Sequence, residues 1–494
     1  MPLSHRSSGR LRRAWRAARR APPILAAVLG AAGAWAQVPG PGVPSPQPPT
    51  PSQAAPDTGP TASAARERTL ANGMKIIVKE DRRAPTVAHM VWYRAGSLDE
   101  VNGKTGVAHV LEHMMFKGTE KLAPGEFSRR VAAVGGRENA FTSRDYTGYF
   151  QQIHKSRLAE VMALEADRMA NLVLSKEEFD KEIRVVMEER RWRTEDRAQS
   201  TLYEQLLAAT FVASPYRRPI VGWMSDLQSM TFEDARDWYR DWYAPNNAVA
   251  VIAGDVDAEE AFRLAERSYG TIPARALPAR KPQDEPPQAG IKRVAVKAPA
   301  ENPYVMMAFH VPGLVDVERD REPYALELLS AVLDGHESAR LTRNVVRGSR
   351  VANGAGASYE MVQRGPALFL LDGTPADGRT TADVERALRD EIARIARDGV
   401  PAAELERVKT QYVAGQVYKR DSVFAQAMEL AALEVTGFSH RDADRILERI
   451  RAVTPQQVQD VARKYFGDDA LTVGTLLPQP IAARPAAPPA GLRH

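Results

Sequence analysis

The 494-residue chain contains no cysteine. That excludes disulfide staples, thiol nucleophiles and cysteine-ligated metal clusters. Aromatic residues are sparse, at 7%. Long apolar runs are missing too: beyond the N-terminus nothing approaches the about 18 uninterrupted apolar residues of a membrane-spanning helix, so no membrane span is expected in the mature chain. A charge excess of one sign is absent from most of the molecule. Residues 1–36 hold seven arginines and no acid, which accounts for the net charge of +5 and leaves 60 basic against 62 acidic residues elsewhere. A basic nucleic-acid-binding surface is not expected on that balance. What remains is ordinary globular composition, 44% hydrophobic and 26% charged, long enough for two to four domains at about 100–200 residues each.

The N-terminus has the pattern of an export signal. Arg6 to Arg20 form a positive region, an apolar stretch runs from Ile24 to Gly33, and Ala34-Trp35-Ala36 predicts cleavage before Gln37. A periplasmic or secreted location follows. An Arg-rich, acid-free presequence for an organelle is the competing pattern, and the Arg-Arg pairs permit a twin-arginine route. Residues 37–65 hold nine prolines and predict an extended, disordered tether. The Pro/Ala-rich tail 478–494 and the Pro-rich stretch 273–290 have the same character. The latter separates two near-equal ordered regions, 66–272 and 291–477.

These regions are related. Thr231 to Tyr243 lies over Thr454 to Phe466 at one constant offset, matching at Thr231/Thr454, Asp237/Asp460 and Arg240/Arg463, with aromatics at the last two positions. In both places a capped helix ends in an aromatic pair and an apolar strand follows, Ala248–Ala253 and Leu471–Leu476. Asn72-Gly73 predicts a hairpin between apolar runs, and Thr86–Tyr93 reads as a strand. Helices are expected over about 104–116, 124–134, 156–172 and 176–196. The fold class expected is α+β: a duplicated unit in which helices pack on one face of a mostly antiparallel sheet.

The chemistry is concentrated in Val107-Ala-His109-Val-Leu-Glu112-His113-Met-Met-Phe116. His109 and His113 are four apart, so both imidazoles leave one helical face and suit a single Zn²⁺. Glu112 lies on the same side, placed to act as general base. Val107, Val110, Leu111 and Met114 form the opposing apolar stripe. With nine histidines in the chain, chance gives roughly 0.02 occurrences of such a motif. The competing role is a helix with two surface histidines and an ion-paired glutamate.

A zinc hydrolase needs a third protein ligand and an open position. Glu182, Val185, Val186 and Glu189 follow an i, i+3, i+4, i+7 stripe, which puts two carboxylates on a partly buried face. A carboxylate there needs a partner, and a metal is one. Glu189 or Glu182 is therefore the expected ligand. Glu188 belongs to the fully charged stripe Lys181, Arg184, Glu188, Arg191, Glu195 and is not. A simple salt bridge is the competing role for Glu182.

With these residues in view, the sequence resembles the pitrilysin/insulinase-type zinc metallopeptidases, in particular their processing-peptidase-like bacterial branch. The inverted motif His109-Val-Leu-Glu112-His113 matches, as do Tyr93-Arg-Ala-Gly96-Ser97-Leu-Asp99-Glu100 and Gly135-Gly136-Arg-Glu-Asn139-Ala140-Phe141-Thr142. The resemblance implies that Zn²⁺, one per chain, is held by His109, His113 and Glu189, the last 76 residues after His113. It implies that Glu112 is the catalytic base and that Glu182 supports the site from behind the ligands. It further implies two homologous halves, only the first metal-binding, forming half of a clamshell that a dimer completes. Peptide substrates are expected to pair with the strand Asn139-Ala140-Phe141-Thr142, although sheet packing is the ordinary role for Phe141. Members of the family also carry a substrate-facing Arg and, about seven residues on, a Tyr. Arg347 can fill the first position, with an exposed surface arginine as the competing role, but the second falls at about Asn353. The full zinc set beside a missing tyrosine points to a homologous companion chain that lacks the zinc motif; a homodimer in which another residue does the tyrosine's job is the competing arrangement. A non-catalytic assembly subunit is the competing function; such relatives lose the motif that is intact here.

Overall fold

The structure, a computed structural model, describes residues 64–481. The expected export segment 1–36, nearly all of the 37–65 tether and most of the tail lie outside the described residues.

The first sheet is built from β1 (Arg66–Thr69), β2 (Lys75–Glu80), β3 (Thr86–Tyr93), β4 (Arg137–Thr142), β5 (Thr147–His154) and β6 (Ala248–Gly254). Its order is β1-β2-β6-β3-β5-β4. All pairs are antiparallel except β2 with β6. The β1–β2 hairpin turns at Asn72-Gly73, where Gly73 takes the positive φ of 86° that such a turn requires. The helices of this half are α1 (Val107–Met114), α2 (Glu126–Ala133), α3 (Leu158–Asn171), α4 (Lys176–Arg190), α5 (Ala198–Thr210), α6 (Met224–Ser229), α7 (Phe232–Trp242) and α8 (Ala258–Tyr269).

The second sheet holds β7 (Lys292–Pro299), β8 (Tyr304–Val311), β9 (Ala352–Tyr359), β10 (Ala367–Pro375) and β11 (Leu471–Gln479), in the order β7-β11-β8-β10-β9. Its one parallel pair is β7 with β11. Laid over β2-β6-β3-β5-β4, it has the same strand sequence, directions and parallel pair, so the duplication extends to topology. Its helices are α9 (Glu322–Asp334), α10 (Thr381–Asp398), α11 (Ala402–Lys419), α12 (Val423–Thr436), α13 (Asp442–Ala452) and α14 (Pro455–Lys464). The two matched helices α7 and α14 start on reciprocal capping boxes, Thr231 with Asp234 and Thr454 with Gln457.

Side chains alternate along the central strands, and both faces are apolar. Val87, Val91 and Tyr93 of β3 join the helix-covered core, whereas Ala88, Met90 and Trp92 face the other side. That second face needs a cover, and the halves supply it to each other. Ala427, Leu430, Ala431 and Val435 of α12 close the outer face of the first sheet. Leu202 of α5 packs on Ala298 and Leu476 of the second. Each fully buried aliphatic side chain contributes about 1.5–3 kcal/mol, so this exchange ties the halves together.

The stretch 273–290 departs from the loose tether its prolines predict. It has no regular structure but is fastened along its length. Asn246 bonds both the N–H and the carbonyl of Arg275. Arg280 reaches Asp99 at 2.8 Å. The Glu285 carboxylate accepts from the backbone N–H groups of Val212, Ala213 and Ser214 at 2.6–2.9 Å.

Candidate active site

Helix α1 forms where its apolar stripe can be buried: Val107, Ala108, Val110, Leu111 and Met114 all lie in the core. Its start is built with care. Gly106 precedes it at φ 88°, with no side-chain cap of its own. A Cβ there would sit 2.5 Å from the Val221 carbonyl, so only glycine fits. The orphan N–H groups of Gly106 and Ala108 are taken at 2.8 and 3.0 Å by Glu100. Glu100 is 2% exposed. Burial pushes its carboxyl up to about 8, against the pull of those two N–H groups and Arg218.

Helix α4 crosses α1 and brings Glu189 to the two imidazoles. One ligand atom each from His109, His113 and Glu189 lies within 4.8 Å of the others. Glu189 Oε2 is 3.5 Å from His109 Nε2 and 3.2 Å from His113 Nε2. Neither contact has hydrogen-bond geometry, and this oxygen is buried without a hydrogen-bond partner. Two imidazoles and a carboxylate converging on a buried, unsatisfied oxygen are the donor set that suits Zn²⁺. The other Glu189 oxygen is held at 2.6 Å by Arg193.

Glu182 lies behind His113: its carboxylate is 3.2 Å from Nδ1 and 2.6 Å from the Lys117 ammonium. Burial tends to lower the His113 pKa, but Glu182 and Glu189 outweigh it and hold the imidazole near 9 in the metal-free site. His109 goes the other way, to about 3, through burial and the neighbouring His113. Burial works against ionised Glu189, but His113, His109 and Arg193 prevail and hold its carboxyl at about 2. Glu112 is not in the three-atom cluster. It accepts a 2.6 Å bond from the Thr142 hydroxyl, and burial raises its pKa.

Thr142 ends β4, the terminal strand of its sheet, which is bonded to β5 on one edge only. Ala140 packs against the helix-covered core. The Asn139 side chain accepts from the Ala140 N–H. Phe141 turns to the opposite face and packs edge-on against Trp92 at 4.9 Å, so its side chain has the packing role and the strand offers its main chain. Arg347 is exposed on the π-helical segment Leu341–Gly348 of the second half and takes no part in these contacts. Asn353 bonds the Pro375 carbonyl, and Tyr359 turns into its own half onto Pro312.

The buried face of α4 is narrower than the expected stripe. Val185 does not share the buried face with Val186: it is 48% exposed, whereas Val186 is fully buried. Glu188 is on the exposed side and pairs with Arg191. Sequence reasoning missed Lys117, Thr142 and Arg193 as partners of the site. Lys117 and Arg193 each lie four residues after a site residue, His113 and Glu189, a spacing that could have found them.

Comparison with known proteins adds the decisive observation. Residues 75–222 match the insulinase family, peptidase family M16, and residues 229–412 match the M16 inactive domain. The zinc protease PqqE of Helicobacter pylori is 30% identical over 421 residues, 83% of this chain and 92% of the relative. The chain belongs to peptidase family M16. The uncharacterized zinc protease YmxG of Bacillus subtilis is 26% identical over 81% of this M16 chain and 95% of its own length. Among solved structures, a Helicobacter pylori protease superposes with a TM-score of 0.80 at 27% identity, covering 84% of this chain and all of that one. The periplasmic protease PqqL of Escherichia coli shares the fold, with a TM-score of 0.72 at 20% identity over 85% of this chain and 48% of its own.

Proposed function

We propose that this M16 chain is an exported, zinc-dependent endopeptidase acting on peptides or unfolded protein segments. The observation that carries the proposal is the convergence of His109, His113 and a Glu189 oxygen that is buried without a hydrogen bond, with Glu112 beside them. Those three residues would hold Zn²⁺, which when bound supplies Lewis acidity toward the scissile carbonyl and acidifies water. Glu112 takes a proton from the attacking water and passes it to the leaving amine. The Thr142 hydroxyl fixes the carboxylate that does this. Glu182 orients His113 through Nδ1, as ligand-supporting carboxylates do. The free edge of β4, at Asn139, Ala140 and Phe141, gives an extended peptide a main-chain partner without demanding a particular sequence. Export rests on the 1–36 segment, with cleavage after Ala36, and agrees with a fold shared with a periplasmic protease.

The assembly we propose is a dimer. Asn353 stands where a substrate-facing tyrosine is expected, so the other member supplies the Arg/Tyr pair, and Arg347 alone does not replace it. Hydrolysis of an unstructured peptide by the purified protein, with and without a chelator, tests the activity. Zinc-independent cleavage, or none in any pairing, would overturn it.

A further inference from the structure

The loop between β9 and β10 belongs to the half without metal ligands, yet it grips the first half at two points. The Arg364 guanidinium makes a bidentate pair with Asp99 at 2.8 and 2.9 Å. It also donates to the Asp145 carbonyl at 2.8 Å, while its own backbone N–H donates to the Asp145 carboxylate at 3.1 Å. Gly365 follows, its N–H 3.0 Å from the Tyr216 hydroxyl, which in turn donates to Asp145 at 2.5 Å. A Cβ on Gly365 would lie 2.6 Å from the Tyr216 ring. Asp99 is 3% exposed and Arg364 15%, so the ion pair is shielded and worth more than a surface pair.

Both gripped segments lead to the candidate active site within a few residues. The residue after Asp99 is Glu100, whose carboxylate holds the first N–H groups of the α1 helix. Asp145 sits in the β4–β5 turn, three residues after Thr142, which bonds Glu112. The two segments are bonded to each other as well: Ser97 and Leu98 donate to the carbonyls of Ser143 and Arg144 at 3.2 and 2.8 Å.

We propose that Arg364 is a positioning residue for the metal site, setting the start of the α1 helix through Asp99-Glu100 and the Thr142–Glu112 contact through Asp145. The half without ligands thereby fixes the geometry of the half that has them. This rests on the zinc-peptidase reading above, and its test is read first on metal binding, so the two fail separately.

The experiment compares full-length wild type, Arg364→Gln, Arg364→Lys and Arg340→Gln. Arg340 forms a comparably shielded bidentate pair with Glu404 at 2.7 and 3.0 Å, wholly within the second half, and so controls for lost stability. Readouts are zinc affinity by chelator competition, the visible spectrum of the cobalt(II)-substituted protein, and kcat and KM on a peptide. Arg364→Gln is expected to lower zinc affinity by about tenfold, to shift the cobalt spectrum, and to lower kcat with KM little changed. Arg364→Lys, which keeps the charge but replaces the bidentate fork with a single donor nitrogen, should recover part of each. Arg340→Gln should lower thermal stability and leave affinity and spectrum at wild-type values. Wild-type zinc affinity and spectrum in Arg364→Gln would overturn the proposal, as would an equal loss in Arg340→Gln. If Arg364→Gln does not fold, Arg364→Lys carries the comparison, and an unchanged affinity and spectrum there overturn it too. A wild type that binds zinc but cleaves nothing defeats the peptidase reading and leaves this one standing.

Discussion

Glu112→Gln isolates the base from the ligands. The substitution keeps the shape of the side chain and a carbonyl oxygen that can still accept from Thr142, whose hydroxyl now lies 2.6 Å from the carboxylate. It removes only the charge and the ability to take a proton. The structure puts the three converging ligand atoms on His109, His113 and Glu189, none of them on Glu112, so zinc content should stay near one per chain. Burial raises the Glu112 pKa, which brings a carboxyl nearer the working pH and strengthens it as a base. Losing such a group costs about 10²–10⁴ in rate, or about 2.7–5.5 kcal/mol of barrier at 1.36 kcal/mol per tenfold. The assay is hydrolysis of an internally quenched peptide beside metal analysis of the same sample. Loss of zinc together with activity would make Glu112 a ligand. Turnover within a few-fold of wild type would remove it from the mechanism.

Further outcomes follow from the same geometry. Glu189→Gln should sharply lower metal content and Glu188→Gln, on the exposed side, should leave metal and activity near normal, with Glu182→Gln between them at a loss of about 10–100-fold; a larger loss at Glu188 than at Glu189 would refute the ligand assignment. His113 is protonated in the metal-free site up to pH about 9, and a ligand imidazole must be neutral. Zinc uptake at pH 7 should therefore release about one proton, and affinity should rise about tenfold per pH unit from roughly 7 toward 9, read by calorimetry in buffers of different ionisation enthalpy; a flat profile contradicts it. The mature protein recovered from its host should begin at Gln37 and, on mass analysis, be accompanied by a homologous chain without the zinc motif; full zinc-dependent activity from a homogeneous sample would sink the companion.

The candidate metal helix is legible in the sequence because everything that defines it is local. His109, Glu112, His113 and the apolar stripe between them fit in two turns, and a 3.6-residue period is enough to sort them. The preference for Glu189 over Glu188 rests on the same period in α4, although the sequence cannot say which of two adjacent valines faces inward. Neighbouring positions on a helix differ by about 100°, and Val185 lay just past the edge of the buried arc. The proline-rich stretch 273–290 is fastened where its composition predicts a loose tether, for another reason. Proline reports an extended backbone, not a free one, and its anchors at Asn246, Asp99 and residues 212–214 are remote in sequence.

The exchange of α5 and α12 was not legible at all, and it decides what each half can be. Ten of the fourteen residues of Val423–Thr436 are apolar and no single polar face stands out, which says that the helix is largely buried and nothing about where. Its place is on Ala88, Met90, Trp92, Val249 and Val251 of the other half. Without it the first sheet would present that whole face to water, an apolar patch of the kind that drives association. The half that carries His109, His113 and Glu189 therefore leans on the other half twice over: through α12 for a covered sheet, and through Arg364 for the segments that lead to the α1 helix and to Glu112.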